Sequence, residues 1–129
     1  MNLTHLVTLV SLLGNLSGSG VLPQVAFPAA LEKLQQIGFA SYYGDGFHGA
    51  MTASGKPYDE NQLTAAHRTL PFGTRLRITN LKNHRTVIVT VIDRGPVRKD
   101  RILDLSYRGA QELHMVRSGV VQVSAEVLP

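Results

Sequence analysis

The chain has 129 residues, which suits one domain with its own core and is too short for two. It carries 13 Lys+Arg and 9 Asp+Glu, a net charge of +4, and these charged residues all lie at or after Glu32. It has no Cys, which excludes disulfides, thiolate metal sites and a cysteine nucleophile. The basic surplus suits an anionic partner, but without a basic-aromatic strand pattern or a recognition helix we expect no nucleic-acid binding.

The first 36 residues differ in composition from the rest of the chain. The apolar run from Leu3 to Leu16 is shorter than the roughly 20 residues that span a bilayer and suits the apolar part of a secretory signal, so residues 1–20 are predicted to be a signal peptide. No Lys or Arg precedes the run, and the alternative is a frayed or non-native N-terminus. Residues 21–36 are predicted to be a linker, with a short helical lead-in over 29–37. The folded domain is predicted over residues 37–129, exported to the periplasm or outside the cell. Without a lipid-attachment Cys we expect no stable membrane anchor.

The first half of the predicted domain contains one strand followed by a long loop. Residues 38–44 read as a strand in which Tyr42 and Tyr43 face opposite ways. Residues 44–58 hold repeated Gly and form an irregular loop, a length that is usually functional or disordered. Residues 59–63 are predicted as one helical turn, and residues 64–66 as a short buried strand leading into His67.

The second half alternates in the way that strands do. Residues 75–80 place Leu76 and Ile78 inward, and residues 82–84 form a hairpin turn. Residues 86–92 are the most β-prone run and are predicted to be a central strand buried on both faces. A further strand over 101–105, a helix over 107–114 with Ser106 as N-cap, and a final strand over 121–127 complete the pattern. Five to seven short strands and one helix predict an all-β fold, a small closed barrel.

Two titratable residues lie at the ends of predicted strands beside turn-forming residues: His67 and Asp93. Each has a structural alternative, a hydrogen-bonded histidine for the first and a turn-capping carboxylate for the second. Asp93 ends an apolar strand, where partial desolvation favours a protonated carboxyl that can act as a general acid on a glycosidic oxygen. The five His are scattered without helical ligand spacing, so we expect no metal site and no cofactor.

Aromatic side chains are concentrated in or beside the predicted loops. Rings of this kind stack against sugars, and the alternative is that they belong to the core of a Trp-free barrel. They are Tyr42, Tyr43, Phe47, Tyr58, Phe72 and Tyr107.

Several ordered blocks resemble the rare lipoprotein A family. The resemblance runs from about Gly38 to Leu128, and it is carried by residues 38–44, 47–49, 52–55, 63–74, 91–96 and 101–106. It implies a six-stranded double-psi β-barrel and lytic transglycosylation of peptidoglycan, with a preference for glycan strands stripped of their stem peptides. Asp93 would be the general acid and His67 its partner. The substrate-binding residues implied are Tyr42, Tyr43, Thr52, Ser54, Lys56, Arg94 and Asp104.

The chain departs from the family pattern at Lys56, where members often carry Glu after Ser54-Gly55. A base in place of an acid reverses the local charge and would weaken Asp93 as a proton donor if the ammonium came close. A second function therefore stays open, a non-catalytic module that binds wall glycan in the manner of an expansin. The expected partners are peptidoglycan glycan strands, together with proteins of the division site.

Overall fold

The computed structural model describes residues 35–129, in which six strands and one short helix are found. The elements are β1 (Gln35–Tyr42), β2 (Thr64–Ala66), β3 (Arg75–Asn80), β4 (Thr86–Asp93), β5 (Leu103–Leu105), α1 (Tyr107–Glu112) and β6 (Val121–Val127). The predictions for residues 1–20 and for most of 21–36 lie outside the described residues. Gln35, Gln36 and Ile37 belong to β1, so the helical lead-in predicted up to residue 37 is wrong for these three positions.

The strands close into a barrel in the order β1-β5-β2-β4-β3-β6, which confirms the predicted small barrel. Neighbours β1 and β5, and β2 and β4, run parallel, whereas β2 and β5, β3 and β4, and β3 and β6 run antiparallel. Strand β2 is only three residues long, yet its last residue, Ala66, pairs with Asp93 of β4 on one side and Asp104 of β5 on the other. The barrel therefore brings two carboxyl-bearing positions to the same level.

The core fills the barrel interior with alternate residues of each strand. Leu76 and Ile78 of β3 point inward as predicted, and the alternation predicted for β6 is also confirmed. The prediction that β4 is buried on both faces is wrong, because Thr86 is exposed and the side chain of Ile88 is 37% exposed. A small barrel has a single interior, and the outer side of its strands faces solvent unless another element covers it.

Helix α1 begins where the sequence predicts and ends two residues earlier. Ser106 is its N-cap, and the Oγ of Ser106 accepts from the main-chain N–H of Gly109. The helix stops at Glu112 because Leu113 is its C-cap and His114 follows with a φ of 52°. The turn predicted between β3 and β4 contains His84, which has a φ of 65°. Residues 59–63 form a turn and not a helical element. Among residues 35–129, no helix has the length and apolar character needed to cross a bilayer.

Ser106→Ala is expected to lower the free energy of unfolding by about 1–3 kcal/mol. Ser106 is fully buried; its hydroxyl donates to the carbonyl of Gln62 at 2.6 Å and accepts from the amides of Gly109 and Thr64. Removing it leaves three main-chain groups, one of them in a fully buried hydrogen bond, without this partner. Urea unfolding measures the change, with Ser118→Ala at an exposed position as the matched control. Equal stability of the two variants would contradict the assigned role.

Candidate active site

A groove of about 360 Å³ opens where strands β1 and β4 end and β5 begins, beside Asp93. Its walls combine two acids, three guanidinium groups and several aromatic rings, a composition suited to a polar ligand with apolar faces. The lining residues are Ser41, Tyr42, Tyr43, Gly44, Phe47, Asp93, Arg94, Gly95, Pro96, Val97, Arg98, Arg101 and Asp104. Of the site residues predicted from the sequence, the groove thus collects Tyr42, Tyr43, Asp93, Arg94 and Asp104.

The carboxyl group of Asp93 is held from three sides. Its Oδ1 accepts from the main-chain N–H groups of Ala53 and Arg94, both at 2.9 Å, and its Oδ2 accepts from the phenol of Tyr43. The two amides can only donate, so Oδ1 is fixed as an acceptor. Oδ2 is therefore the oxygen that can carry a transferable proton.

The turn that supplies the Ala53 amide is braced by the side chains of Thr52 and Ser54. The buried Thr52 hydroxyl donates to the carbonyl of Lys56 at 2.6 Å and lies 3.0 Å from the Ser54 hydroxyl. The main-chain N–H of Ser54 donates to the carbonyl of Ile92, which attaches the turn to the end of β4. Thr52 and Ser54 were predicted to bind substrate, and the structure places them in the turn that positions Asp93.

Tyr43 belongs to a set of stacked rings behind the carboxyl group. Its ring stacks on Tyr58 with centroids 4.3 Å apart, and Phe47 meets it edge-on at 5.7 Å. Burial raises the pKa of Tyr43 far above its ordinary value, and its hydrogen bond to Asp93 and the charge of that carboxylate raise it further. Tyr43 therefore keeps its proton at any physiological pH and remains able to donate to Asp93.

Tyr42 faces the other way from Tyr43, as the alternation of β1 predicts. Its hydroxyl donates to the carbonyl of Val116 at 2.8 Å, and its ring packs against Tyr107 and the core. It still contributes to the groove wall, so one tyrosine of the pair is mainly structural and the other lies at the carboxyl group.

Asp104 is the second acid of the groove. Its Oδ1 accepts a hydrogen bond of 2.5 Å from Ser41, and its Oδ2 lies 3.9 Å from the point where a side chain at Gly95 would begin. Because Ala66 pairs with both Asp93 and Asp104, their backbones are two strand spacings apart, about 10 Å. Gly95 carries no side chain to fill the space near Asp104, which leaves room for a ligand.

His67 is connected to Asp93 through the main chain and stabilises the loop that follows β2. Its main-chain N–H donates to the carbonyl of Asp93, and its Nδ1 accepts from the amides of Thr69 and Leu70, each at 3.1 Å. An Nδ1 that accepts two hydrogen bonds carries no proton, so the neutral ring has its proton on Nε2. Burial lowers the pKa of His67, and the charges of Arg94 and Arg68 lower it further.

The imidazole of His67 is expected to titrate below 6.5 in the folded protein, and below its own value in urea. As the pH falls through 6.5, the unfolded chain takes up this proton before the folded chain does. The free energy of unfolding therefore falls with pH until the lower folded pKa is passed. NMR of the His67 ring protons in both states measures the two values. A folded pKa at or above the value in urea would contradict the neutral assignment.

Arg94 connects the loop that follows His67 to Asp93 through hydrogen bonds of both its side chain and its main chain. Its Nη1 donates to the carbonyls of His67 at 3.1 Å and Leu70 at 2.8 Å, and its guanidinium lies 4.0 Å above the centre of the Phe72 ring. Its main-chain amide holds Asp93 Oδ1. We therefore assign Arg94 a positioning role alongside its place in the groove wall.

Lys56 lines a different depression, together with residues such as Asp59 and Thr90. Within the part of the chain that the structure describes, its ammonium forms no ion pair with Asp93. Lys56 is exposed, so solvent and salt screen its charge.

Sequence reasoning missed Ser41, Ala53 and Arg101, because each acts through a contact or position that the fold creates. Tyr58 was noted only as one of several aromatic residues, although it supports Tyr43 directly. Over residues 35–129 there is no group of three His, Asp or Glu side chains that could hold a metal ion.

The closed barrel places a carboxyl group, that of Asp93, at the end of strand β4 and beside an open groove. A family model described as "Lytic transglycolase" matches residues 35–125. The chain belongs to this family, that of the rare lipoprotein A-like double-psi β-barrels, which confirms the resemblance and the predicted fold.

Proteins of known name are similar to this chain over most of its length. A "probable endolytic peptidoglycan transglycosylase RlpA" of Synechocystis is 44% identical over 122 residues, 84% of this chain and 38% of that protein. A protein of the same name from Aquifex aeolicus is 55% identical over 91 residues, 70% of this chain and 40% of its own. The "endolytic peptidoglycan transglycosylase RlpA" of Campylobacter jejuni is 52% identical over 91 residues, covering 70% and 33%. The chain thus spans about two fifths or less of these relatives.

Solved structures share the barrel. The Streptomyces papain inhibitor superimposes with a TM-score of 0.60 at 26% identity, covering 74% of this chain and 94% of its own. An expansin of Clavibacter michiganensis gives 0.60 at 22% identity, covering 74% and 51%. The second likeness concerns the fold alone.

Proposed function

We propose that this domain is an endolytic peptidoglycan lytic transglycosylase that cleaves the bond between N-acetylmuramic acid and N-acetylglucosamine, with Asp93 as general acid. The observation that carries the proposal is the Asp93 carboxyl group, which has one oxygen fixed by two amides and the other beside Tyr43 in an open groove. The names of the relatives, which state this activity, support it.

The reaction uses one carboxyl group twice. Asp93 Oδ2 gives its proton to the glycosidic oxygen, and the bond from that oxygen to the anomeric carbon of the muramyl ring breaks, leaving its electron pair on the departing sugar. The carboxylate then takes the proton of the muramyl 6-hydroxyl, whose oxygen attacks the same carbon. The product ends in a 1,6-anhydro ring, no water is consumed, and the acid is restored.

The groups around Asp93 serve the two halves of this cycle. Tyr43 keeps its own proton, so it donates to the carboxylate after the first transfer and can accept from the acid before it. Asp104 faces the groove from the other side of β2, where its charge would stabilise the positive charge that develops on the sugar ring. His67 is a positioning residue that holds the adjoining loop.

The proposed substrate is a glycan strand stripped of its stem peptides, and the proposed location is the periplasm or the outside of the cell. Division-site proteins remain proposed partners. The names of the relatives support the polymer, peptidoglycan, and the type of reaction, an endolytic transglycosylation.

The experiment is incubation of the purified chain with peptide-free glycan strands, followed by mass spectrometry of the products. We expect fragments ending in 1,6-anhydro-N-acetylmuramic acid. Fragments with reducing ends would indicate hydrolysis instead. If no fragments form, the proposed transglycosylase activity is contradicted.

A second candidate function, a glycan-binding module without activity, rests on Lys56, which stands where the resemblance to the family implies Glu. Binding of the same strands in a pull-down assay, without anhydro ends in the soluble products, would support this function.

A further inference from the structure

Three guanidinium groups line the groove beside Asp93, and they differ in what they contact. Arg94 donates to the carbonyls of His67 and Leu70. Arg98 forms an ion pair with Asp100 at 3.0 Å. The side chain of Arg101 forms no hydrogen bond or ion pair with any residue in the range 35–129, although its main chain is fixed.

The backbone on both sides of Arg101 is anchored. Its own amide donates to the carbonyl of Arg98, and the next amide, that of Ile102, donates to the carbonyl of Phe39 in β1 at 2.8 Å. Strand β5 and its acid, Asp104, follow directly. Arg101 is partly buried, and the nearby carboxylate of Asp100 is already paired with Arg98. A positive charge is therefore held at the groove wall, and its donors have no hydrogen-bond partner among residues 35–129.

An arginine in this state fits a carboxylate brought by the ligand. Guanidinium groups bind carboxylates through two parallel N–H donors, and partial burial strengthens the pair. A muramyl residue carries a lactyl ether at C3, on the same ring as the carbon that reacts. In a strand with stem peptides the end of this group is a neutral amide, and in a stripped strand it is a free carboxylate.

We infer that Arg101 is the specificity-determining residue of the groove and that it binds the lactyl carboxylate of peptide-free muramyl residues. The inference rests on the proposed function, since it assumes that the groove takes a muramyl glycan. It explains a preference for stripped strands by charge recognition, in addition to the space that a stem peptide would need.

The test measures binding to the disaccharide of N-acetylglucosamine linked to N-acetylmuramic acid, by NMR titration of the full chain. This disaccharide lacks the bond that the proposed enzyme cleaves, so binding does not depend on activity. We expect the unaltered protein to bind it on the order of ten- to a hundredfold more tightly than the same disaccharide with its carboxyl group converted to a methylamide. Arg101→Gln should bind both forms equally, at the weaker affinity. Arg101→Lys should retain part of the difference, because it keeps the charge without the paired donors.

Lys82→Gln is the matched control, since it removes one positive charge at the β3–β4 turn, at the other end of β4 from Asp93. It should keep the full preference for the carboxylate form. Equal binding of the two forms by the unaltered protein, which needs no variant to fold, would overturn the inference. An unchanged preference in Arg101→Gln would do the same. If anhydro products form but the carboxylate and methylamide disaccharides bind equally, the proposed activity stands and the role of Arg101 is rejected. If the carboxylate form binds more tightly but no anhydro products form, the role of Arg101 stands and the proposed activity is rejected.

Discussion

Asp93→Asn is expected to lower the rate at which anhydro ends form by about 10²–10⁴-fold, the usual contribution of a general acid and base. The amide oxygen can still accept from the amides of Ala53 and Arg94, so the local structure should persist. What is lost is the proton that Oδ2 gives and takes back. Mass spectrometry of products from peptide-free strands gives the rate, and the binding of the strands should change little.

The matched control is Glu126→Gln, the same carboxyl-to-amide change at an exposed ion pair with Arg77 on the barrel surface. It should keep the full rate. A rate for Asp93→Asn within a few-fold of the unaltered protein would exclude Asp93 as the acid, and thermal unfolding would show whether the fold was kept.

Asp104→Asn is expected to lower kcat by about 10²–10³-fold, with a smaller change in KM. Its carboxylate would stabilise a charge that exists mainly in the transition state, and removing one such group commonly costs this much. The hydrogen bond from Ser41 can persist to the amide oxygen, so the side chain should keep its place.

Ser41→Ala tests whether the orientation of the Asp104 carboxylate matters in addition to its charge. It leaves the Asp104 carboxylate but removes the donor that orients it, so a loss smaller than that of Asp104→Asn is expected. The two variants together test whether the charge or only the packing matters. A loss that appears in KM and leaves kcat unchanged would show that Asp104 binds the ground state.

Most of the barrel could be predicted because its strands carry their own signals. The alternation in β3 and β6 gives the buried face directly, and the Ser106 cap marks the helix start. The error on β4 has a physical cause: a run of β-branched residues looks alike whether one face or both are buried. Val87, Val89 and Val91 face inward, whereas Ile88 lies on the outer face because successive side chains of a strand point to opposite faces.

The site was only half predictable from sequence. Asp93 stands out because it ends an apolar strand before a Gly-Pro turn. Its supports come from distant segments, the amide of Ala53 and the phenol of Tyr43, which lie 40 and 50 residues earlier in the chain. Every residue except Pro has a main-chain N–H, so the residue type at position 53 does not reveal that the amide of Ala53 binds Asp93. The same holds for Arg101, whose lack of a side-chain partner within residues 35–129 is a property of the fold and not of the residue type.

The pairing of Ala66 with both Asp93 and Asp104 has an evolutionary consequence. The distance between the two acids is set by the hydrogen-bonded ladder of three strands. Two of the three guanidinium groups of the groove wall, those of Arg98 and Arg101, come instead from residues 97–101, outside any strand. Loops accept substitutions and insertions far more readily than ladders do. Substitutions in that segment can therefore change the charge of the groove wall while the spacing of the two acids stays the same.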